Sequence, residues 1–220
     1  SGSYIPWLRS LVPDINLGYL SFYSKPDSLS AIAGSIRYFS MGSITYTNIA
    51  GNPIGQFRPV EFAFDAGYTR QLSPNLSAGI SFRFVNSNLT GVISGNSMGG
   101  FGKVLAGDIG LTYRSKEYCR EDVLSYFKTG ISVTNIGPKM RYSTASEGDF
   151  IPIKLAIGEA FLTQLNQKHF ITIQFELSKL LVPTPPVYEI DSTTNSPRIV
   201  NGQYVILYGK DPNRDVISGM

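Results

Sequence analysis

Hydrolysis or group transfer needs an activated nucleophile or a metal-bound water. This chain of 220 residues has one histidine, His169, and one cysteine, Cys119. A lone Cys forms neither an intramolecular disulfide nor a Cys-rich zinc site, and a lone His cannot build a His-based metal cluster or a relay of several histidines. His169 falls in phase with Ile171 and Ile173 at a turn end, as an interfacial side chain would. No cofactor and no metal are expected. Eight further charged residues, Arg37, Glu61, Asp65, Arg83, Asp108, Lys128, Lys154 and Glu176, fall opposite apolar faces in patterns of period two. They could line a conducting pore. Charges in a narrow lumen are costly unless neutralised, so a network of mutual pairs, or pairs with a plug, is the expectation.

The elements that must position these groups are strands. From Val60, the residues Val60, Phe62, Phe64, Ala66 and Tyr68 alternate with Glu61, Ala63, Asp65, Gly67 and Thr69. Leu76, Ala78, Ile80, Phe82 and Phe84 alternate in the same way with Ser77, Gly79, Ser81 and Arg83, and Ile171 to Leu177 with Thr172 to Ser178. Weaker alternation covers Ile32–Tyr38, Leu105–Tyr113, Phe127–Thr134 and Leu155–Phe161, and Ile15, Leu17 and Tyr19 form a first apolar stripe. The sum is about eight strands of about ten residues, the length that crosses a membrane as a β-strand and longer than the usual sandwich strand. Glu159 interrupts the apolar phase of its strand, which predicts a bulge or an interfacial position.

Composition agrees. Charged residues make up 16% of the chain, against about 25% in an ordinary soluble domain. Gly numbers 22, Tyr 13 and Phe 13, and the hydrophobic fraction of 42% opposes disorder. A net charge of +3 leaves no footprint for nucleic acid. No window is apolar enough for a transmembrane helix.

The connections alternate between short (24–29, 71–75, 164–168) and long (41–59, 87–103, 137–150, and 182–220 after the last strand), with a medium one at 115–125. Outer-membrane barrels have this parity of short periplasmic turns and long extracellular loops. Aromatics predict two girdles. Tyr19, Tyr23, Tyr68, Tyr113, Tyr126, Phe127, Phe161 and Phe170 fall near short turns, and Tyr38, Phe62, Phe82 and Phe84 near long loops. The predicted fold is all-β, a transmembrane antiparallel β-barrel, read as one partial domain over 1–220. Both termini read as cuts in a longer chain, with both ends expected on the extracellular side. Small inward residues such as Ala33, Ala63, Gly79, Ala106, Gly130 and Ala156 fit a lumen wider than that of an eight-stranded barrel.

Four runs carry a family resemblance: Tyr4-Ile5-Pro6-Trp7-Leu8 with Asp14-Ile15-Asn16-Leu17; Ser35-Ile36-Arg37-Tyr38-Phe39-Ser40-Met41-Gly42; Lys179-Leu180-Leu181-Val182-Pro183-Thr184-Pro185-Pro186; and Gly209-Lys210-Asp211-Pro212 with Val216-Ile217-Ser218-Gly219-Met220. Together they resemble the PorV (LptO) family, outer-membrane proteins of the type IX secretion system of Bacteroidota related to FadL-type transport barrels. The resemblance implies a barrel of roughly fourteen strands. It also implies a shuttle that binds the C-terminal signal domain of cargo, sits against a SprA-type translocon and delivers to a PorU-containing attachment complex, with outer-membrane lipids around the wall. It implies no catalytic residue. Two other activities suggested by the same relationship are lipid A O-deacylation and FadL-like uptake of hydrophobic small molecules. Polar inward faces speak against the second.

For cargo or partner contact, the loop residues Tyr46, Phe57, Phe101, Met140 and Tyr142 are the candidates, because exposed backbone and aromatics can hold a β-rich ligand by strand addition or apolar contact. Pro183, Pro185 and Pro186 form a rigid extended exit from the last strand, either terminating it or reaching a partner. Beyond them, Asn201-Gly202 between two apolar runs predicts a tight hairpin.

Overall fold

The computed structural model describes residues 1–7, 9–10, 14–89, 100–120, 123–142, 148–166, 168–191 and 194–211. Leu8, Pro212 and Val216–Met220 of the runs above, and much of the 87–103 and 137–150 loops, lie outside them. The strands are β1 (Gly2–Pro6), β2 (Ile15–Ser24), β3 (Ser30–Met41), β4 (Ile44–Thr47), β5 (Pro53–Phe57), β6 (Val60–Ser73), β7 (Leu76–Asn88), β8 (Gly102–Arg114), β9 (Tyr118–Arg120), β10 (Val123–Ile136), β11 (Lys154–Gln164) and β12 (Phe170–Leu180). They are followed by β13 (Val187–Tyr188), β14 (Ile190–Asp191), β15 (Ser196–Pro197), β16 (Ile199–Val200), β17 (Gln203–Tyr204) and β18 (Ile206–Tyr208). A ten-stranded sheet runs β1-β2-β3-β6-β7-β8-β10-β11-β12, with β9 paired to β10. Every pairing in it is antiparallel.

The burial pattern is inverted relative to a soluble sandwich. The large apolar side chains are the exposed ones, among them Phe62, Phe64, Phe82, Leu105, Ile109, Ile173 and Leu177. Among the described residues the buried apolar ones are Ala63, Val104, Ala106, Ile153 and Ala156. An apolar face of this size is stable against lipid and not against water. Long strands rich in aromatic and β-branched residues, with the polar set turned to the covered side, form a membrane barrel wall.

Side-chain acceptors shape the short turns. Asp27 accepts from the Leu29 amide at 2.7 Å. The Ser73 hydroxyl accepts from the Leu76 amide at 3.1 Å, and Asn166 Oδ1 accepts from the Lys168 and His169 amides, both at 2.9 Å. On the opposite side, β4 and β5 fold the 41–59 connection into a hairpin of its own. The predicted hairpin at Asn201-Gly202 is also present. Both residues take positive φ, 53° and 79°, and join β16 to β17.

Four expectations are corrected. The sheet begins one strand earlier than the alternation indicates. β1 pairs with β2 from Gly2↔Leu20 to Pro6↔Asn16, and Ser1 bonds to Ser21, so the first residue sits within the sheet and not on the long-loop side. Five residues closing on a proline give too short a pattern to read. The face of β2 is also shifted by one residue. Leu17 pairs with Phe39 and Tyr19 with Arg37, which turns the Ile15–Leu17–Tyr19 stripe to the lumen and leaves Leu20 and Phe22 outward, 58% and 61% exposed. Tyr19, Tyr23, Tyr126 and Phe170 accordingly share the lumen parity and leave the short-turn girdle. Glu159 sits in an uninterrupted register with both neighbours, so there is no bulge there. The bulge lies on β10 between Val133 and Ile136, where Asn135 takes φ 59°.

Candidate functional site

The inward side chains of five neighbouring strands meet around Arg83. Its Nε donates to Asp65 Oδ1 at 2.5 Å and one terminal nitrogen donates to Asn135 Oδ1 at 2.7 Å. Its other terminal nitrogen is 3.8 Å from Asp108 Oδ2. Each carboxylate is held from a further side: Ser35 donates to Asp65 at 2.9 Å, Ser81 to Asp108 at 2.8 Å, and the Asn135 amide to Asp108 Oδ1 at 2.7 Å. The β10 bulge is what turns that amide inward, and Asn is among the few non-glycine residues that visit this backbone region. Sequence reasoning missed Asn135; its residue type is the only hint. The cluster straps β3, β6, β7, β8 and β10 together across the lumen face.

The other inward charges are dispersed. Lys154 Nζ bonds Glu176 at 3.1 Å. Arg37 lies over the Tyr19 ring at 5.9 Å and Lys128 over the Tyr126 ring at 5.7 Å. Glu61 accepts at 2.5 Å from the hydroxyl of Ser87, which is fully buried, and Ser87 in turn accepts from the Tyr142 hydroxyl at 2.9 Å.

Tyr142 is therefore engaged with the barrel wall. Its carbonyl accepts from the Gly100 amide, and a Cβ on Gly102 would meet its ring at 2.7 Å, so glycine makes room for it. Met140 bridges to Asp149, and Ile153, at 1% exposure, is the most buried apolar residue described. Phe101 stays 59% exposed. The lumen also holds a recess of about 310 Å³ walled by Trp7, Leu17, Phe39, Ala63 and Val85 beside Arg37, Glu61 and Arg83. It is more apolar than strict alternation implies because β2 presents its apolar stripe inward.

On the long-loop side, the hairpin β4–β5 carries Tyr46 and Phe57 as a stacked pair, ring centroids 6.4 Å apart. Ile44 and Ile54 are about half exposed and Ile49 fully. The hairpin is a two-stranded sheet, so both outer edges carry unpaired backbone groups. Asp14, which the sequence reading placed only within a motif, fixes its base. One carboxylate oxygen accepts from the Ser43 amide at 2.7 Å and lies 3.9 Å from Arg58, which also donates to the Ser43 hydroxyl at 3.4 Å. Gly42, at φ 83°, takes the backbone past Asp14 where a Cβ would meet the carboxylate at 2.8 Å. The hydrogen bonds from Ser43, with a smaller contribution from Arg58, hold the Asp14 carboxyl below its ordinary value.

Pro183 and Pro186 are half-buried and Pro185 exposed. The exit segment is pinned by the returning chain, since the Lys210 amide donates to the Thr184 carbonyl at 3.0 Å and Gly209, φ 89°, packs on Pro185. His169 lies exposed in the 165–169 turn, its Nδ1 3.0 Å from Asn166 Oδ1. Cys119 is exposed. Among the described residues no group of three His, Cys, Asp or Glu could hold a metal. Gly95-Asn96-Ser97-Met98-Gly99 has the spacing of a nucleophile elbow, a match the sequence reading passed over. It lies outside the described residues.

What this arrangement can do is bind and position: the lumen charges strap the wall, and the long-loop face displays a braced hairpin with free edges. No curated protein matches the chain. Residues 1–187 match the family described as type IX secretion system protein PorV. An outer-membrane barrel wall with that match over most of its length belongs to the PorV family of the type IX secretion system.

Proposed function

We propose that the chain is a docking and shuttle component of type IX secretion that receives the C-terminal signal domain of cargo on its long-loop face. In this reading it stands beside a SprA-type translocon and delivers to a PorU-containing attachment complex. The match to the PorV family carries the proposal. The β4–β5 hairpin is the favoured contact, because its free edges suit strand addition by a β-rich ligand and its isoleucines offer apolar anchors. Tyr46 and Phe57 stiffen it, Phe101 adds an exposed ring, and Met140, Tyr142 and the three prolines act from the frame that presents it. The charges around Arg83 act as struts. The test is removal of residues 43–58 from the full-length protein, with folding checked by heat-shifted mobility on a gel. Cargo co-purification is expected to disappear; undiminished cargo would refute the hairpin's role.

The apolar recess favours a second reading, uptake of hydrophobic small molecules. Trp7 is the only tryptophan and lines it, so long-chain amphiphiles titrated into this protein report directly. Saturable Trp7 quenching supports uptake, and a flat trace removes it.

A further inference from the structure

Between β6 and β7 the outward cross-strand pairs are apolar through mid-strand: Phe64 faces Phe84, Ala66 faces Phe82 and Tyr68 faces Ile80. The seam between β10 and β11 differs. From its short-turn end the outward pairs are Ser125↔Thr163, Phe127↔Phe161, Thr129↔Glu159, Ile131↔Ile157 and Val133↔Leu155. The Ser125 and Thr163 hydroxyls bond at 3.1 Å. Glu159 is thus the central outward position of β11, about 17 Å along the strand from either end. Its direction is fixed by Phe175 across the ladder, 60% exposed on the same face. The carboxylate is exposed, and among the described residues it has no hydrogen bond or ion pair.

Acyl chains are a poor environment for such a group. A charge on the lipid face of a barrel is most destabilising at mid-depth, and ionisable groups in membranes are ordinarily paired or turned to water. We propose that the β10–β11 seam seats a second, different integral outer-membrane protein, which presents a cationic side chain to Glu159. A second copy of this chain would not satisfy it. Two copies in one membrane meet at equal depth, where the described outward residues carry no cation: Phe64, Ile80 and Ile109 are apolar and Thr129 is uncharged, while Arg70, Lys103 and Lys179 lie near strand ends.

The test places a photoreactive phenylalanine analogue at Thr129 of the full-length protein in native outer membranes, with Ile80 as the control position. A discrete adduct with another protein is expected from 129 and not from 80. Glu159→Leu is expected to lower its yield roughly tenfold, the loss of one charge-assisted hydrogen bond. If Glu159→Leu disturbs the gel mobility of the folded barrel, the isosteric Glu159→Gln is read instead, with a few-fold loss. Adducts to lipid only, to a second copy, or equally from both positions would overturn the proposal, as would a yield indifferent to Glu159. The seam is remote from the β4–β5 hairpin, so hairpin variants that abolish cargo capture leave this adduct unchanged.

Discussion

Arg83→Leu should destabilise the barrel more than any other single change on the lumen face. The guanidinium makes one charge-assisted bond to Asp65 and one bond to Asn135, with Asp108 at longer range. Its side chain is 27% exposed, and those of Asp65 and Asp108 are 17% and 19% exposed. Breaking a fully buried pair by removing one partner costs about 3–5 kcal/mol. Partial solvation of this cluster reduces the expectation to about 3 kcal/mol, about a hundredfold in the folded-to-unfolded ratio. Arg83→Lys retains charge but loses the fork, so about half that loss is expected. Adding Asp65→Asn to Arg83→Leu removes one stranded charge and should recover about 1 kcal/mol or more. Denaturant unfolding of the full-length protein in detergent micelles, followed by intrinsic fluorescence and gel mobility, measures all three. A single variant within about 0.5 kcal/mol of wild type, or a double variant no better than the single, would refute the strut role.

Gly102→Ala drives a methyl into the Tyr142 ring and should cost about 1–3 kcal/mol, whereas Tyr142→Phe, losing only the bond to Ser87, should cost about 1 kcal/mol; the same unfolding assay ranks them. Because the folded state holds the Asp14 carboxyl low, its contribution is fully present above the ordinary value of 3.8 and is lost as pH falls through the lower folded value. Cargo capture by the hairpin should therefore persist down to about that value and fail only in stronger acid, and Asp14→Ala should weaken capture at neutral pH. Replacing Asn135 with Val should destabilise through both its positive φ and the lost side-chain bonds to Arg83 and the Pro152 carbonyl, while Asn135→Gly keeps the bulge and loses only those two bonds; unfolding midpoints should order Gly above Val.

The wall was legible wherever one face is apolar and the other polar or small, as in β6, β7 and β12. It misled where both faces are apolar. On β2, Leu17 and Tyr19 compete with Leu20 and Phe22, and only the pairing of Tyr19 with Arg37 decides which set is inward. Glu159 stood out as a break in phase, but alternation alone cannot tell a bulge from an unbroken strand bearing a polar outward residue. The partners of Arg83 were not readable, because Asp65 and Asn135 lie 18 and 52 residues away and are united only by register. Sequence had marked Tyr142 as a free loop aromatic. Its inward bond needs Gly102 and Ser87, and nothing in the spacing announces that match.

The central claim, that this barrel serves type IX secretion by holding cargo at its long-loop face, is tested most directly by isolating the tagged full-length protein from outer membranes and identifying what accompanies it by mass spectrometry. The account predicts a very large barrel protein together with proteins sharing a C-terminal β-domain. Recovery of neither, with lipid A acylation altered when the protein is removed, would contradict it.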